Sequence, residues 1–317
     1  MGKLGKLLKK MNQSSILGLR AANALTKTMT FLTREIWPAE VVSKRIFKKS
    51  FGRELDLKNP KTLNEKIYWL KLYHNINNDF YTQCADKYGV REYLAKEFGE
   101  EYLVPLLFVT TDYRDLVPEN IPNTHCIVKA THDSGGHYLI IRDSSKVDYR
   151  RLRENFRFWL SNNFYQSGKE WQYKNIRPRI VIEKLLETKE GKIPNDYKLH
   201  FINGELQFIY VSYDREGVND RCTYDKDWNR LPFVWVPVYS YRPTMNTSNV
   251  PRPASLDKMI EFGTKIAQNF KYVRVDFYDV DGKLYFGEIT LHHGGGKDHF
   301  FPDKYDLIYG EKLNLDK

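Results

Sequence analysis

Residues 274–290 read RVDFYDVDGKLYFGEIT, and no other stretch of the chain restricts its fold so tightly. Before the turn, Arg274, Asp276 and Tyr278 share one face of a strand while Val275 and Phe277 share the other. After it, Leu284, Phe286, Glu288 and Thr290 fall on one face. Two period-2 runs around a glycine-containing turn make an antiparallel hairpin with an apolar and a polar side. The turn then decides where the two carboxylates point. A two-residue Asp281-Gly282 turn would pair Asp276 with Gly287 and put Asp276 and Glu288 on opposite faces. A three-residue Val280-Asp281-Gly282 loop pairs Asp276 with Phe286 and Arg274 with Glu288. We expect the three-residue loop, which makes the carboxylates diagonal neighbours roughly 7–8 Å apart at the backbone. At that separation they can share magnesium, although a hairpin with merely solvated carboxylates would show the same pattern. Asp279 and Asp281 also spell a D-x-D, but inside the turn, where such residues serve turn geometry.

Two further segments carry polar groups at the ends of apolar runs. In IVKATHDSGGHYLII, residues 127–141, Lys129 closes an apolar strand ahead of Ser134, Gly135 and Gly136. Phosphate binding asks for closely approaching backbone N–H groups and a fixed cation. This is no Walker loop, because the lysine precedes the glycines and a strand follows. A plain glycine-rich hairpin remains the other reading. In residues 180–209 an apolar strand enters Glu183-Lys184-Leu185-Leu186, and a loop leads to Asp196-Tyr197-Lys198. Asp196 and Lys198 project together at i, i+2, as would a cross-strand ion pair on a wet face.

Strands are expected over YLVPLLFV at Tyr102–Val109 and at Ile127–Ala130, Tyr138–Ile141, Arg179–Leu185, Tyr197–Ile202, Glu205–Ser212, Tyr272–Asp279 and Leu284–Leu291. Helices are expected from a cap near Thr62 or Asn64, and over CADKYGVREYLAKEFG, YRRLRENFRFWLSNNF and SLDKMIEFGTKIAQNF.

The charge is lopsided. Of a net +10 over 317 residues, the first fifty residues hold eleven basic side chains against Glu35 and Glu40. Basicity confined to one end does not describe a nucleic-acid groove, so no nucleic acid is expected as partner. Leucines recur at helical spacing among those lysines up to about Trp37, the pattern of a helix lying on an anionic membrane surface through residues 1–40. A helix packed on its own domain reads the same way. Cys84, Cys126 and Cys222 are odd in number and far apart, which suits a reducing cytoplasm and excludes a disulfide framework. No apolar run is long enough for a membrane span, so the expected location is cytoplasmic, at most peripheral on the inner face of a bacterial membrane.

Taken in order, these segments resemble the ATP-grasp superfamily. With LNEKIYWLK, FGEEYLVPLL, DYKLHFINGE and YFGEIT, residues from about Asn59 to Gly310 resemble its TupA-like branch, associated with cell-surface polysaccharide synthesis. The resemblance implies an α+β chain with the ATP-grasp fold, two α/β subdomains gripping ATP, and an N-terminal helical extension. The extension would span 1–58 and the ATP-grasp domain 59–317, with a nucleotide-covering flap subdomain at about 125–200. Position by position it implies that Lys87 and Lys129 reach phosphates. Ser134, Gly135 and Gly136 would form a flap, poorly ordered over Thr131–His137 until nucleotide closes it. Glu183, Lys184 and Leu186 would hold adenine, and Asp196 and Lys198 would serve ribose and phosphate. Asp276 and Glu288 would bind Mg2+, and Arg274 would steady acyl-phosphate oxygens. Thr290 stands where the superfamily usually has asparagine, so a hydroxyl would complete the metal shell. The implied reaction activates a hexuronic acid of a surface glycan as an acyl phosphate and joins it to an amino acid or small amine. Arg142, Arg215 and Arg221 are candidate uronate ligands, and His292, His293 and His299 a candidate acceptor loop. A surface-polysaccharide glycosyltransferase, resting on the D-x-D, is the competing reading.

Overall fold

The structure, a computed structural model, describes residues 3–217, 220–236 and 249–315. Among them the chain begins with helices α1 (Lys3–Ser14), α2 (Ile16–Thr30) and α3 (Ala39–Phe51). It continues through α4 (Leu63–Trp69), α5 (Asp79–Ala85), α6 (Val90–Phe98) and strand β1 (Leu106–Thr110). Then come β2 (Cys126–Ala130), β3 (Tyr138–Ile141), α7 (Tyr149–Leu160), α8 (Tyr165–Gly168) and β4 (Ile180–Lys184). β5 (Asp196–Ile202), β6 (Glu205–Tyr213), β7 (Asp220–Tyr224) and β8 (Val234–Val236) follow, then α9 (Leu256–Ala267), β9 (Tyr272–Val280) and β10 (Lys283–Thr290). β11 (His299–Phe301) and α10 (Lys304–Lys312) close the chain.

The seven strands expected from Ile127 onward are present within a residue or so of their expected ends, while the strand expected over Tyr102–Val109 starts four residues later, as β1. α3, α8, α10, β7, β8 and β11 were not anticipated, and the strands among them are five residues or fewer. The helix expected over CADKYGVREYLAKEFG is two helices. Asp86 takes an extended conformation (φ −78°, ψ 113°), and its carboxylate accepts from Tyr88 N at 3.0 Å, the local bond by which Asp diverts a backbone from helix to turn. α4 starts where the sequence placed a cap, with Thr62 and Glu65 forming a reciprocal capping box.

Packing divides the described chain into a smaller unit (1–42, 105–169, 173–185) and a larger one (43–104, 170–172, 186–317). The sequence boundary at 58 marks the end of the basic composition. Packing cuts earlier, because Leu19 and Ala22 of α2 are buried and Arg20 donates from Nε to Glu154 of α7 at 3.0 Å.

In the smaller unit an antiparallel sheet runs β1-β4-β2-β3. α7 covers one face, where Leu152 and Phe156 meet Cys126, Val128, Ala130, Ile180 and Ile182. In the larger unit an antiparallel sheet runs β10-β9-β5-β6-β7. Its apolar face carries Leu199, Phe201, Val273, Val275, Phe277, Ile209 and Phe286 against α9, α5 and α6. Side chains buried this fully each contribute about 1.5–3 kcal/mol, so the apolar period fixes which face turns inward. α9 approaches closely through Gly263, where a Cβ would lie 2.6 Å from Phe201 Cζ. One end of the opposite face is sealed by Tyr272, Phe208, Trp235 and Phe300 with Leu63 and Ile67 of α4. The remainder of that face is polar.

Candidate active site

β9 and β10 do not join through a three-residue loop. Val280 pairs with Lys283, and Asp281 (φ 53°) and Gly282 (φ 88°) form a two-residue turn with the positive φ angles of type I′. Asp279 Oδ1 accepts from Gly282 N at 2.7 Å, and its Oδ2 accepts from Ser255 N at 2.9 Å. Asp281 Oδ2 accepts from Lys189 N at 2.8 Å. Both aspartates of the D-x-D are therefore engaged in loop structure.

With that turn and an unbroken ladder, Glu288 would face the apolar core. Instead the register shifts between Phe286 and Glu288, and Glu288 pairs directly with Asp276. Gly287 is the extra residue of a bulge, which returns the following side chains to the other face. A Cβ at Gly287 would lie 3.1 Å from both the Asp276 carbonyl oxygen and Tyr278 Cε2. Gly287→Ala should therefore be tolerated with a small shift. Gly287→Val should lower stability by about 1–3 kcal/mol and reduce ATP turnover at least about tenfold, because a 1 Å displacement of a positioned group can cost more than that. Thermal melts beside turnover assays would check this, and a fully active valine variant would contradict it.

The polar face then assembles by register. Lys198 pairs with Asp276, His200 with Arg274, and Asp196 with Tyr278 across β5 and β9. Lys198 Nζ donates to Asp276 Oδ2 at 2.7 Å and to Asp196 Oδ2 at 2.5 Å. Arg274 donates from Nε to Asp276 Oδ1 at 2.6 Å and from Nη2 to Oδ2 at 2.7 Å. The same Nη2 stands 3.6 Å from Glu288 Oε2. Asp276 is buried, its side chain 3% accessible, whereas that of Glu288 is 34% accessible. Burial pushes the Asp276 carboxyl pKa up, but Arg274 and Lys198 outweigh it and hold it below its ordinary value. Burial likewise lowers the Arg274 pKa, and Asp276 and Glu288 more than reverse it. Asp276 thus remains a carboxylate and Arg274 a cation in a desolvated site.

Asp196 Oδ1 and Thr290 Oγ1 are buried without a hydrogen-bond partner among the described residues. Buried polar atoms are rarely left so, and both lie on the face of the Asp276–Glu288 pair. Among the described residues no three His, Cys, Asp or Glu side chains gather to hold a metal. Two carboxylates and a hydroxyl do fit magnesium, which usually keeps several waters and takes phosphate oxygens beside one or two carboxylates.

In the smaller unit, Lys129 and Glu183 lie diagonally on β2 and β4, Lys129 opposite Val181 and Ile127 opposite Glu183. Lys129 Nζ donates to Glu183 Oε2 at 2.8 Å. Lys184 N donates to Pro105 O at 3.0 Å, and Leu186 resumes the larger unit. Ser134, Gly135 and Gly136 form the tip of the β2–β3 hairpin, both glycines at positive φ. The Thr131–His137 segment is anchored at its base. Thr131, His132 and Asp133 are buried, Thr131 N donates to Arg179 O at 3.0 Å, and His137 stacks on Trp159 at 5.0 Å while bonding Asp133. Histidine anchors tie the base of the loop to α7, leaving Gly135 and Gly136 exposed at its tip. Lys87 sits in the turn between α5 and α6, half-buried, rather than inside a helix.

The His292, His293 and His299 loop also differs from expectation. His292 and His293 are buried, and His299 packs on Phe51 at 4.5 Å. His292 Nε2 meets Asn75 Nδ2 at 2.9 Å, and its Nδ1 lies 3.2 Å from Glu170 Oε2. Beside them Lys71 is 1% exposed, its Nζ 3.7 Å from the Tyr68 ring centre and 3.3 Å from Gly295 O. Burial pushes the Lys71 pKa down to about 7, with Glu170 opposing and Lys297 assisting. Nothing in the sequence marks Lys71, since one lysine in an amphipathic helix reads as surface. His200 was legible, being i+2 from Lys198 on the same face. Its Nδ1 meets Tyr272 Oη at 2.9 Å, and burial with His293 and Arg274 holds its pKa well below the ordinary value. Arg221 lies on β7 opposite Ser212, and Arg215 donates to Pro194 O at 3.3 Å.

A lysine-bearing antiparallel flap sheet, and a second sheet with a cation-clamped Asp/Glu pair, are the parts of an ATP-grasp enzyme. Enzymes of that class are carboxylate–amine ligases that use ATP with Mg2+. The chain belongs to the TupA-like ATP-grasp family, whose sequence model matches residues 65–314. Among solved structures it is similar to D-alanine–D-alanine ligase from Helicobacter pylori, at 14% identity and a TM-score of 0.47 over 80% of this chain and 70% of that one. The ATP-grasp ligase PsnB in complex with a minimal precursor aligns at 10% identity and a TM-score of 0.38, over 73% of this chain and 61% of that one. Phosphoribosylamine–glycine ligase from Thermotoga maritima aligns at 10% and 0.38, over 67% and 48%. The chain thus spans less than two thirds of the latter two. No curated protein matches it.

Proposed function

We propose that this chain is an ATP-dependent ligase that forms an amide between the carboxylate of a hexuronic acid in a surface polysaccharide and an amino acid or small amine. The observation that carries the ligase reading is the bulged hairpin that sets Glu288 beside Asp276, with Arg274 and Lys198 bonded to the latter. Asp276, Glu288 and the Thr290 hydroxyl would hold magnesium, which supplies charge neutralisation at the transferred phosphoryl group. Lys198 now sits against Asp276 and Asp196 as a bound cation would. With magnesium on that carboxylate, Lys198 would serve a phosphate instead. Lys129, paired with Glu183 on the flap sheet, and Lys87 would serve phosphates, and Asp196 a ribose hydroxyl. Glu183, Lys184 and Leu186 would line the adenine, and Ser134, Gly135 and Gly136 would cover phosphate. Arg274 would steady the oxygens of the carboxylate as it becomes an acyl phosphate, before an amine displaces phosphate.

Family membership supports the polysaccharide setting, and the cationic Arg221 and Arg215 near the sheet support a uronate. Incubation with ATP, Mg2+, a uronic-acid glycan and mixed amines should release ADP and phosphate, and yield an amide product by mass spectrometry. ATP turnover with simple carboxylates but never with a uronate would remove the glycan half of this reading. Nucleotide-sugar hydrolysis without ATP turnover would favour the glycosyltransferase. The engagement of both D-x-D carboxylates in loop structure already argues against that alternative.

A further inference from the structure

α2 and the wider helical turn Phe31–Glu35 that continues it present two faces of opposite use. The inner face is committed to the smaller unit. Leu19 and Ala22 are buried, Arg20 pairs with Glu154 of α7, and Arg34 donates to the Ser167 carbonyl. On the outer face Leu17, Ala21, Leu25, Met29, Leu32 and Ile36 recur at spacings of three and four, the spacing of a single helical stripe. Their large side chains are open to solvent, Leu17 at 77%, Leu25 at 45%, Met29 at 39%, Leu32 at 55% and Ile36 at 53%. A contiguous apolar stripe of this length is not ordinary surface. α1 packs alongside α2 and adds Lys6, Lys9 and Lys10 with exposed Leu4 and Leu7. No acidic residue occurs before Glu35.

We propose that this face docks on the surface of an anionic lipid bilayer, with the stripe lying in the interface and the α1 lysines on the headgroups. Charge decides the occupant. Apolar stripes that pair helices within proteins are not usually flanked by unopposed lysines, whereas each lysine near an anionic leaflet adds about 1 kcal/mol of attraction. No helix among the described residues is long and apolar enough to cross a membrane, so the contact is interfacial. A layered consequence follows within the smaller unit. α2 lies on α7, and α7 lies on the sheet that carries Lys129, so the flap sheet would be held at the membrane.

Flotation of the full chain with liposomes tests this. Vesicles of phosphatidylcholine containing phosphatidylglycerol should carry the protein, pure phosphatidylcholine should not, and added salt should weaken binding. A Leu25→Asp/Met29→Asp/Leu32→Asp variant and, separately, a Lys6→Glu/Lys9→Glu/Lys10→Glu variant should each bind at least about tenfold more weakly, with unchanged melting temperature. Binding to neither vesicle, equal and salt-independent binding to both, or binding that survives either variant set would overturn the proposal. So would a dimer in solution that the stripe variant converts to monomer, because the stripe would then belong to a second copy of the chain.

Discussion

Glu288→Gln should leave the protein folded and stop its ATP turnover, and Asp276→Asn should damage both. The two carboxylates face each other across one register pair but live in different media. Glu288 is a third exposed and loosely approached by Arg274 at 3.6 Å. Its amide replacement would remove the proposed magnesium ligand with a stability cost of about 1 kcal/mol or less. Loss of the metal's charge stabilisation, several kcal/mol, corresponds to at least about a thousandfold in rate. Asp276 is buried and takes hydrogen bonds from Arg274 and Lys198. Its neutral replacement leaves two cations facing an amide, and breaking a buried pair in this way costs about 3–5 kcal/mol. Phosphate release beside chemical denaturation separates the variants. Wild-type turnover in Glu288→Gln would remove that residue from the metal site, and wild-type stability in Asp276→Asn would mean the cluster is wetter than its geometry indicates.

Lys71→Met should stabilise the protein and flatten its stability profile between neutral and alkaline pH. In the unfolded chain Lys71 titrates at its ordinary value, and in the folded chain at about 7. Above the ordinary value both states are neutral and the residue costs nothing. As pH falls from there toward 7, the unfolded state takes up a proton that the folded state does not, so stability falls. Below 7 both states are charged and the penalty is constant. The wild-type protein should therefore gain about 2 kcal/mol between pH 7 and 9 from this group, and the methionine variant should lack that gain. Denaturant titrations at both pH values would show it. An equal gain in both proteins would mean that Lys71 stays charged through its ring contact with Tyr68.

Buried lysines, orphaned hydroxyls and histidine anchors mark how far sequence reasoning reaches here. The Asp196/Lys198 pair was legible because period-2 geometry is local: residues i and i+2 must share a face. The Lys129–Glu183 contact joins positions far apart in sequence through a register that no local pattern states. Lys71 comes near His292 because the helical turn Leu70–His74 after α4 packs against the segment after β10, where Asn75 bonds His292. The histidines after β10 read as an acceptor loop by type, but tertiary packing buries His292 and His293.

The sequence by itself determined that Asp276 and Glu288 sit on paired antiparallel strands, that Val275 and Phe277 turn inward, and that a glycine turn joins the two. It could not determine whether the carboxylates share a face. The turn is the two-residue one, which alone would have separated them, and a single inserted residue at Gly287 reverses that outcome. The physical reason is the period of a strand. A shift of one residue moves every later side chain to the other face, so the shared face of the two carboxylates depends on a bulge. That bulge is placed by the packing of Phe286 and Ile289 into the core and by the narrow space beside Asp276, which glycine fits without displacing a neighbour.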